Sequence, residues 1–206
     1  MIAIIDYGVG NLFSLKSSFA MIGADIVTTS DEAVIRHADR IVLPGVGAFG
    51  DAARLLRESG MRDFVLSAVR EGKPLLGICL GMQLLFEESH EYGCHRGLGL
   101  LPGKVVPMKG VIPENLKIPH MGWNGIDFVP GKEGHPLLKN TKDGEHFYFV
   151  HSYYATDCEE AVLATADYGA PLTAAVGIGN VCGAQFHPEK SGDAGLRMLQ
   201  AFLNFA

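Results

Sequence analysis

The chain has 206 residues, 48% of them hydrophobic, which suits one domain spanning 1–206 with a sizeable buried core. Its formal net charge is −6, with 17 Lys and Arg scattered among 23 Asp and Glu, so no basic stripe invites nucleic acid. Four scattered cysteines without a C-x-x-C pair argue against a zinc ribbon or disulfide framework, no apolar run approaches membrane-spanning length, and Met1 leads into Ile2 without a basic leader; a reduced, cytoplasmic protein with no membrane contact is expected.

Ile2 to Asp6 reads as a strand and Asn11 to Met21 as a helix. Between them Asp6-Tyr7-Gly8-Val9-Gly10-Asn11 makes a strand-to-helix turn in which Asn11 caps the helix or contacts a partner. Asp25 to Thr28 and Ile41 to Leu43 are strand-like, and that order suggests βαβ units. A helical region from Ala48 to Arg57 and from Arg62 to Glu71 breaks near Ser59-Gly60. The buried strand Pro74 to Ile78 and a helix Met82 to Glu88 follow. Beyond Ser89, Pro102, Pro107, Pro113, Pro119 and Pro130 punctuate short strand-like pieces, including His146 to Val150 and Val162 to Ala166, and Gly131 to Gly144 reads as an extended loop. Ile178-Gly179-Asn180 makes a tight hairpin between Ala174 to Gly177 and Val181 to Gln185, and a helix from Asp193 to Phe205 closes the chain with Leu196, Leu199, Phe202 and Leu203 inward. The predicted class is α/β: an open, mostly parallel sheet with helices on both faces and antiparallel additions in the C-terminal half.

Three segments carry chemistry. Gly77-Ile78-Cys79-Leu80-Gly81 joins a strand to a helix with glycine on both sides of a nucleophile, the layout of a nucleophile elbow. At a helix N-terminus a thiolate meets unpaired N–H groups and the positive end of the macrodipole. The plainer alternative is a buried cysteine acting as a small hydrophobe beside Leu75, Leu76 and Ile78. In Gln185-Phe186-His187-Pro188-Glu189, Pro188 biases His187 toward extended backbone, where residues i and i+2 point the same way and Glu189 reaches the imidazole. His187 would then serve as general base and acid, oriented by Glu189.

The third segment, Pro44-Gly45-Val46-Gly47-Ala48-Phe49-Gly50, matches G-x-G-x-x-G and raises a dinucleotide site, hence a nucleotide-binding regulator, as a rival. That reading needs an acidic residue at the end of the next strand, but that strand ends at Cys79, and Asp63 and Glu71 fall in helical sequence. An oxyanion hole fits better: Gly45 and Gly47 let the N–H of Val46 approach, beside the N–H of Leu80 after the nucleophile. Another cysteine hydrolase of peptidase type would share the elbow.

Taken in order, PGVG, GICLG and QFHPE resemble the class I glutamine amidotransferases over essentially the whole chain. The resemblance implies L-glutamine as substrate, Cys79 as acyl-forming nucleophile, His187 as acid and base, and Glu189 as its partner, with neither metal nor organic cofactor. It also implies Gln83 as a substrate-holding residue, with Glu91 and the backbone around Ser152 and Tyr153 in support. DYGVGN, PHMGWN, FYFVHSY and QFHPEKS are similar to those members that pass ammonia to a separate barrel-shaped cyclase subunit in histidine biosynthesis, as one half of a heterodimer. The glutaminase sheet would use the whole chain, so ammonia must leave it. Asn11, His120, Trp123, Tyr148 and Lys190 are the expected partner-facing residues, with ordinary packing the alternative for Trp123 and Tyr148.

Overall fold

The computed structural model describes residues 1–205. Four short apolar runs, β1 (Ile2–Ile5), β2 (Ile26–Thr29), β3 (Arg40–Leu43) and β4 (Leu75–Ile78), lie parallel in the order β2-β1-β3-β4. Their crossovers hold α1 (Leu12–Met21), α2 (Glu32–His37), α3 (Phe49–Glu58) and α4 (Met61–Arg70). Every residue of β1 and β4 is buried, because helices cover both faces of a parallel sheet and strand alternation disappears. The break expected near Ser59-Gly60 is there, with Gly60 in the left-handed region at φ 77°. The short α2, capped by the Asp31 side chain on Ala33 N–H, is too brief to be read from periodicity.

After β4 comes α5, which spans only Leu80–Gln83 rather than the expected Met82 to Glu88. The tertiary structure ends it: the carbonyls of Leu84, Leu85 and Phe86 accept hydrogen bonds from the amides of Leu98 to Leu101, which takes them from any helix continuing past residue 88. The chain then lays down β5 (Glu88–Ser89), β6 (His95–Arg96), β7 (Lys104–Pro107), β8 (His120–Gly125), β9 (Asp127–Phe128), β10 (His146–His151), β11 (Tyr153–Thr156), β12 (Val162–Asp167), β13 (Pro171–Ile178) and β14 (Val181–Ala184). A final helix, α6, runs Gly192–Leu203.

The C-terminal half adds mostly antiparallel pairings, as the sequence suggests. β14 returns parallel to β4, and β13, β12 and β9 extend the sheet antiparallel, giving the order β2-β1-β3-β4-β14-β13-β12-β9. The turn between β13 and β14 is the two-residue hairpin Gly179-Asn180, closed by the Ile178–Val181 pair. β8 pairs with β10 separately, and β11-β7-β5-β6 form a third sheet. One core packs Ile35, Phe49, Leu56, Phe64 and Val65 of α2, α3 and α4 on one face of the main sheet. The other packs Leu15 and Phe19 of α1 with Met198, Leu199 and Phe202 of α6 on the opposite face. Within α6, Leu199 and Phe202 are buried, whereas Leu196 and Leu203 are half-buried.

Candidate active site

β4 and β14 lie side by side at the centre of the sheet, and both candidate catalytic segments leave from their carboxyl ends. Cys79 sits at the turn from β4 into α5 with φ 54° and ψ −113°, a conformation that costs a non-glycine residue about 1–3 kcal/mol and persists only where its surroundings enforce it. Enforcement comes from the glycines on either side. A Cβ on Gly77 would lie 2.7 Å from the Gly81 carbonyl oxygen, and one on Gly81 would overlap the Leu43 carbonyl oxygen. Glycine is therefore what lets α5 pack so closely on β3 and β4. The Cys79 amide is fixed by a 2.8 Å bond to the Ala184 carbonyl of β14, and the side chain remains 8% exposed at the floor of a cavity.

His187 follows β14 with extended backbone (φ −102°, ψ 95°). Glu189 reaches it through a 3-10 turn over Pro188–Lys190, not through the extended chain expected from sequence. The turn is locked from below: buried Ser191 donates its hydroxyl to the His187 carbonyl at 2.6 Å and accepts the Tyr148 amide at 3.0 Å. Buried Glu189 Oε1 accepts from His187 Nδ1 at 2.8 Å, which fixes the imidazole with its other nitrogen toward the cavity. Burial pushes the His187 pKa down, but a side-chain hydrogen bond with Cys79, the bond to Glu189 and the charges of both outweigh it and raise the pKa to about 9. Cys79 and His187, 108 residues apart in sequence, thus line one cavity.

The cavity has a volume of about 630 Å³. Val46, Gly47 and Leu80 line it beside Cys79, and Gln83, Glu91, Ser152 and Tyr153 form further wall. Leu80 opens α5, so its N–H is one of the four donors a helix start leaves unpaired. Gly45 binds the loop to the elbow, since a Cβ there would lie 2.7 Å from the Gly81 amide nitrogen and 2.9 Å from Leu80 Cβ. Glu91 caps α3 from a distance: Oε2 accepts the N–H of Phe49, where Ala48 at the N-cap offers no side-chain acceptor. The residue expected to support substrate therefore also fixes the helix that leaves the Gly45 to Gly47 loop.

Gln83 donates both amide hydrogens, to the Tyr153 carbonyl at 3.1 Å and to Gln185 Oε1 at 2.9 Å, leaving Oε1 for a substrate. Gln185 in turn donates to the Cys79 sulfur at 3.8 Å. Sequence reasoning passes over Gln185, although its place two residues before His187 on an extended segment is the available signal.

His120 is also buried, stacked between Phe149 and Tyr168 at 4.8 and 4.1 Å. Asn124 Nδ2, which donates to the Asp167 carbonyl at 2.8 Å, faces His120 Nε2 at 3.3 Å, so that nitrogen accepts. His120 Nδ1 then donates to His151 Nε2 at 3.1 Å, and His151 Nδ1 donates to the Tyr153 carbonyl at 2.9 Å. Both rings are neutral in this chain, as burial requires: it lowers the pKa of His120 to about 4 and of His151 to about 3. Trp123 differs, at 56% exposure on β8. It pairs across the strands with Tyr148, ring edge to face at 6.3 Å, and Lys190 Nζ lies 5.9 Å from the Tyr148 ring at the cavity rim. Asn11 caps α1 by accepting the Ser14 N–H at 3.3 Å.

The model of the class I glutamine amidotransferase family matches residues 3–205. The chain is 51% identical to the imidazole glycerol phosphate synthase subunit HisH of Bacillus licheniformis, covering all of this chain and 96% of that protein. It is 50% identical to the HisH subunit of Methanothermobacter thermautotrophicus, covering 98% of each. In fold it resembles a crystal structure of a glutamine amidotransferase, with TM-score 0.77 and 22% identity over 100% of this chain and 98% of that one. PurLQS of Thermotoga maritima is similar in the same sense, with TM-score 0.74 and 22% identity over 99% and 97%.

Proposed function

The chain belongs to the class I glutamine amidotransferase family, and from that premise we propose that it is the glutaminase subunit of an imidazole glycerol phosphate synthase, acting in histidine biosynthesis. It hydrolyses L-glutamine to glutamate and ammonia, and a cyclase subunit joins the ammonia to a phosphoribulosyl formimino carboxamide ribonucleotide. The products are imidazole glycerol phosphate and an aminoimidazole carboxamide ribotide. The observation that carries the glutaminase reading is Cys79, held at positive φ on the floor of an open cavity, against an imidazole that a buried carboxylate orients.

In the reaction the Cys79 thiolate adds to the carboxamide carbon of glutamine, and the oxygen that becomes negative is held by the amides of Val46 and Leu80. Protonated His187 gives its proton to the departing nitrogen as the C–N bond breaks, leaving a γ-glutamyl thioester and ammonia. Water, deprotonated by the now neutral His187, attacks the thioester and releases glutamate, and the proton stays on the imidazole beside the regenerated thiolate. Glu189 keeps Nδ1 protonated throughout, so only the cavity-facing nitrogen exchanges protons. Gln83 and the Ser152-Tyr153 backbone hold the amino acid, and Gln185 orients the sulfur. No step calls for a metal or an organic cofactor. The nucleophile must stay reduced, a condition that a cytoplasmic location meets. None of the helices among the described residues is long and apolar enough to cross a membrane.

The cyclase docks as the other half of a heterodimer over β8 and β10. There Met121 and Trp123, two residues apart on one strand, are 62% and 56% exposed, next to Tyr148 and Lys190 at the rim. Aromatic and Met side chains of this kind anchor interfaces. Docking also raises the hydrolysis rate, because glutamine cleaved without an acceptor is wasted. The test is turnover by Cys79→Ala in complex with the cyclase: glutamine-driven product is lost, and product driven by added ammonium salt remains. Loss of both would assign Cys79 a structural role. Equal hydrolysis rates with and without the cyclase and its nucleotide would remove the activation.

A further inference from the structure

Outside the active site, β5, β6 and the turn between them gather three side chains of metal-binding type. The Glu88–Arg96 and Ser89–His95 pairs close this hairpin, and the turn reverses at Tyr92 and Gly93 with φ 53° and 141°. Glu88 Oε1 lies 2.9 Å from His90 Nε2, Glu88 Oε2 lies 3.6 Å from Cys94 Sγ, and one ligand atom from each of the three falls within 4.8 Å of the others. Around a tetrahedral Zn²⁺, with bonds of about 2.0–2.3 Å, such atoms stand about 3.3–3.6 Å apart, so the side chains need only small rotations to meet one ion. Glu88 and His90 are about two-fifths exposed and Cys94 is exposed, so the ion can enter and water can fill the fourth position.

We propose that Glu88, His90 and Cys94 bind one divalent transition ion of borderline softness, Zn²⁺ in type, which staples the turn that presents Glu91. An oxygen, a nitrogen and a thiolate suit Zn²⁺ and disfavour Mg²⁺ or Ca²⁺, which take oxygen alone. Glu91 lies inside the turn, its amide bonded to Ser89 Oγ, and its carboxylate holds Phe49 at the start of α3, directly after the Gly45 to Gly47 loop. The ion thus sits one residue from a side chain of the glutamine cavity and takes no part in bond breaking.

The experiment uses the full chain carrying Cys79→Ala under a non-thiol reductant, because Cys79 with His187 could itself hold a thiophilic ion. Titration with Co²⁺ is expected to give a thiolate-to-cobalt charge-transfer band saturating at one equivalent and displaced by Zn²⁺. Adding Cys94→Ser removes the band, and adding His90→Ala weakens Co²⁺ binding by at least about ten-fold. These side chains are exposed, so the variants fold. Absence of the band with Cys94 present, or its persistence in Cys94→Ser, overturns the site. In the same Cys79→Ala protein, Zn²⁺ slows amide hydrogen exchange across 89–96; binding without slowing overturns the staple.

Discussion

The carboxyl edge of the parallel strands and the β8–β10 pair meet at one cavity but are built on opposite principles. At the parallel edge the decisive atoms belong to backbone, or to side chains with every freedom removed: a strained Cys79, Gly77 and Gly81 without room for a methyl group, and His187 clamped by Glu189. On β8 and β10, Trp123 and Met121 stand in solvent while His120 and His151 are buried and neutral. The difference teaches that the candidate catalytic groups are fixed in advance by close packing, whereas the proposed docking face consists of side chains the fold can do without. Substitutions at the first region should act on kcat, and substitutions at the second on association or acid stability.

The largest effect falls on the nucleophile. Cys79→Ala is expected to lower glutamine hydrolysis at least about 10,000-fold with the circular dichroism spectrum unchanged. Next, Glu189→Gln is expected to reduce kcat about 1,000-fold with KM little changed in steady-state assays, because the amide can stabilise the wrong tautomer and no longer supports an imidazolium. Gly45→Ala forces a methyl group against the Gly81 amide and Leu80. It should cost about 100-fold in kcat and about 1–3 kcal/mol in a urea unfolding curve, the cost of overpacking a site that also positions an oxyanion donor.

The two regions should also separate by pH. The His187 pKa is raised from 6.5 to about 9, so the folded protein holds this proton more tightly than the unfolded chain does. Its contribution to stability is complete below pH 6.5 and is lost as pH rises through about 9. His151 is lowered from 6.5 to about 3, so below pH 6.5 the unfolded chain takes up the proton first. Stability then falls on acidification, by at most about 1.4 kcal/mol per pH unit from this residue. Unfolding midpoints measured from pH 4 to 10 should show both limbs, with His151→Gln flattening only the acid one. A flattened alkaline limb in that variant would mean that the two regions are not separable. Smallest is Trp123→Ala: stability within about 0.5 kcal/mol, with cyclase affinity weakened about ten-fold by calorimetry.

Much of the fold and of the site is legible in the amino-acid sequence. The apolar runs of β1, β3 and β4 suit only strands buried on both faces, and the glycines spaced about Cys79 suit only a turn too tight for side chains. The triad is readable because each member sits in a short motif whose local geometry is set by its own residues. Gln185 is not, since its importance comes from touching Gln83 and Cys79, about a hundred residues away. Burial of His120 and the distant capping of α3 by Glu91 escape for the same reason.

By itself, then, the sequence determined the parallel strands β1, β3 and β4, the helices α1, α3, α4 and α6, and where the elbow lies, because periodicity, glycine sterics and proline constraints act within a few residues. Only the tertiary structure decided where α5 stops, that a 3-10 turn brings Glu189 onto His187, and which histidines are neutral. Those outcomes rest on carbonyls captured, charges paired and water excluded by parts of the chain that are remote in sequence, and no local pattern records such contacts.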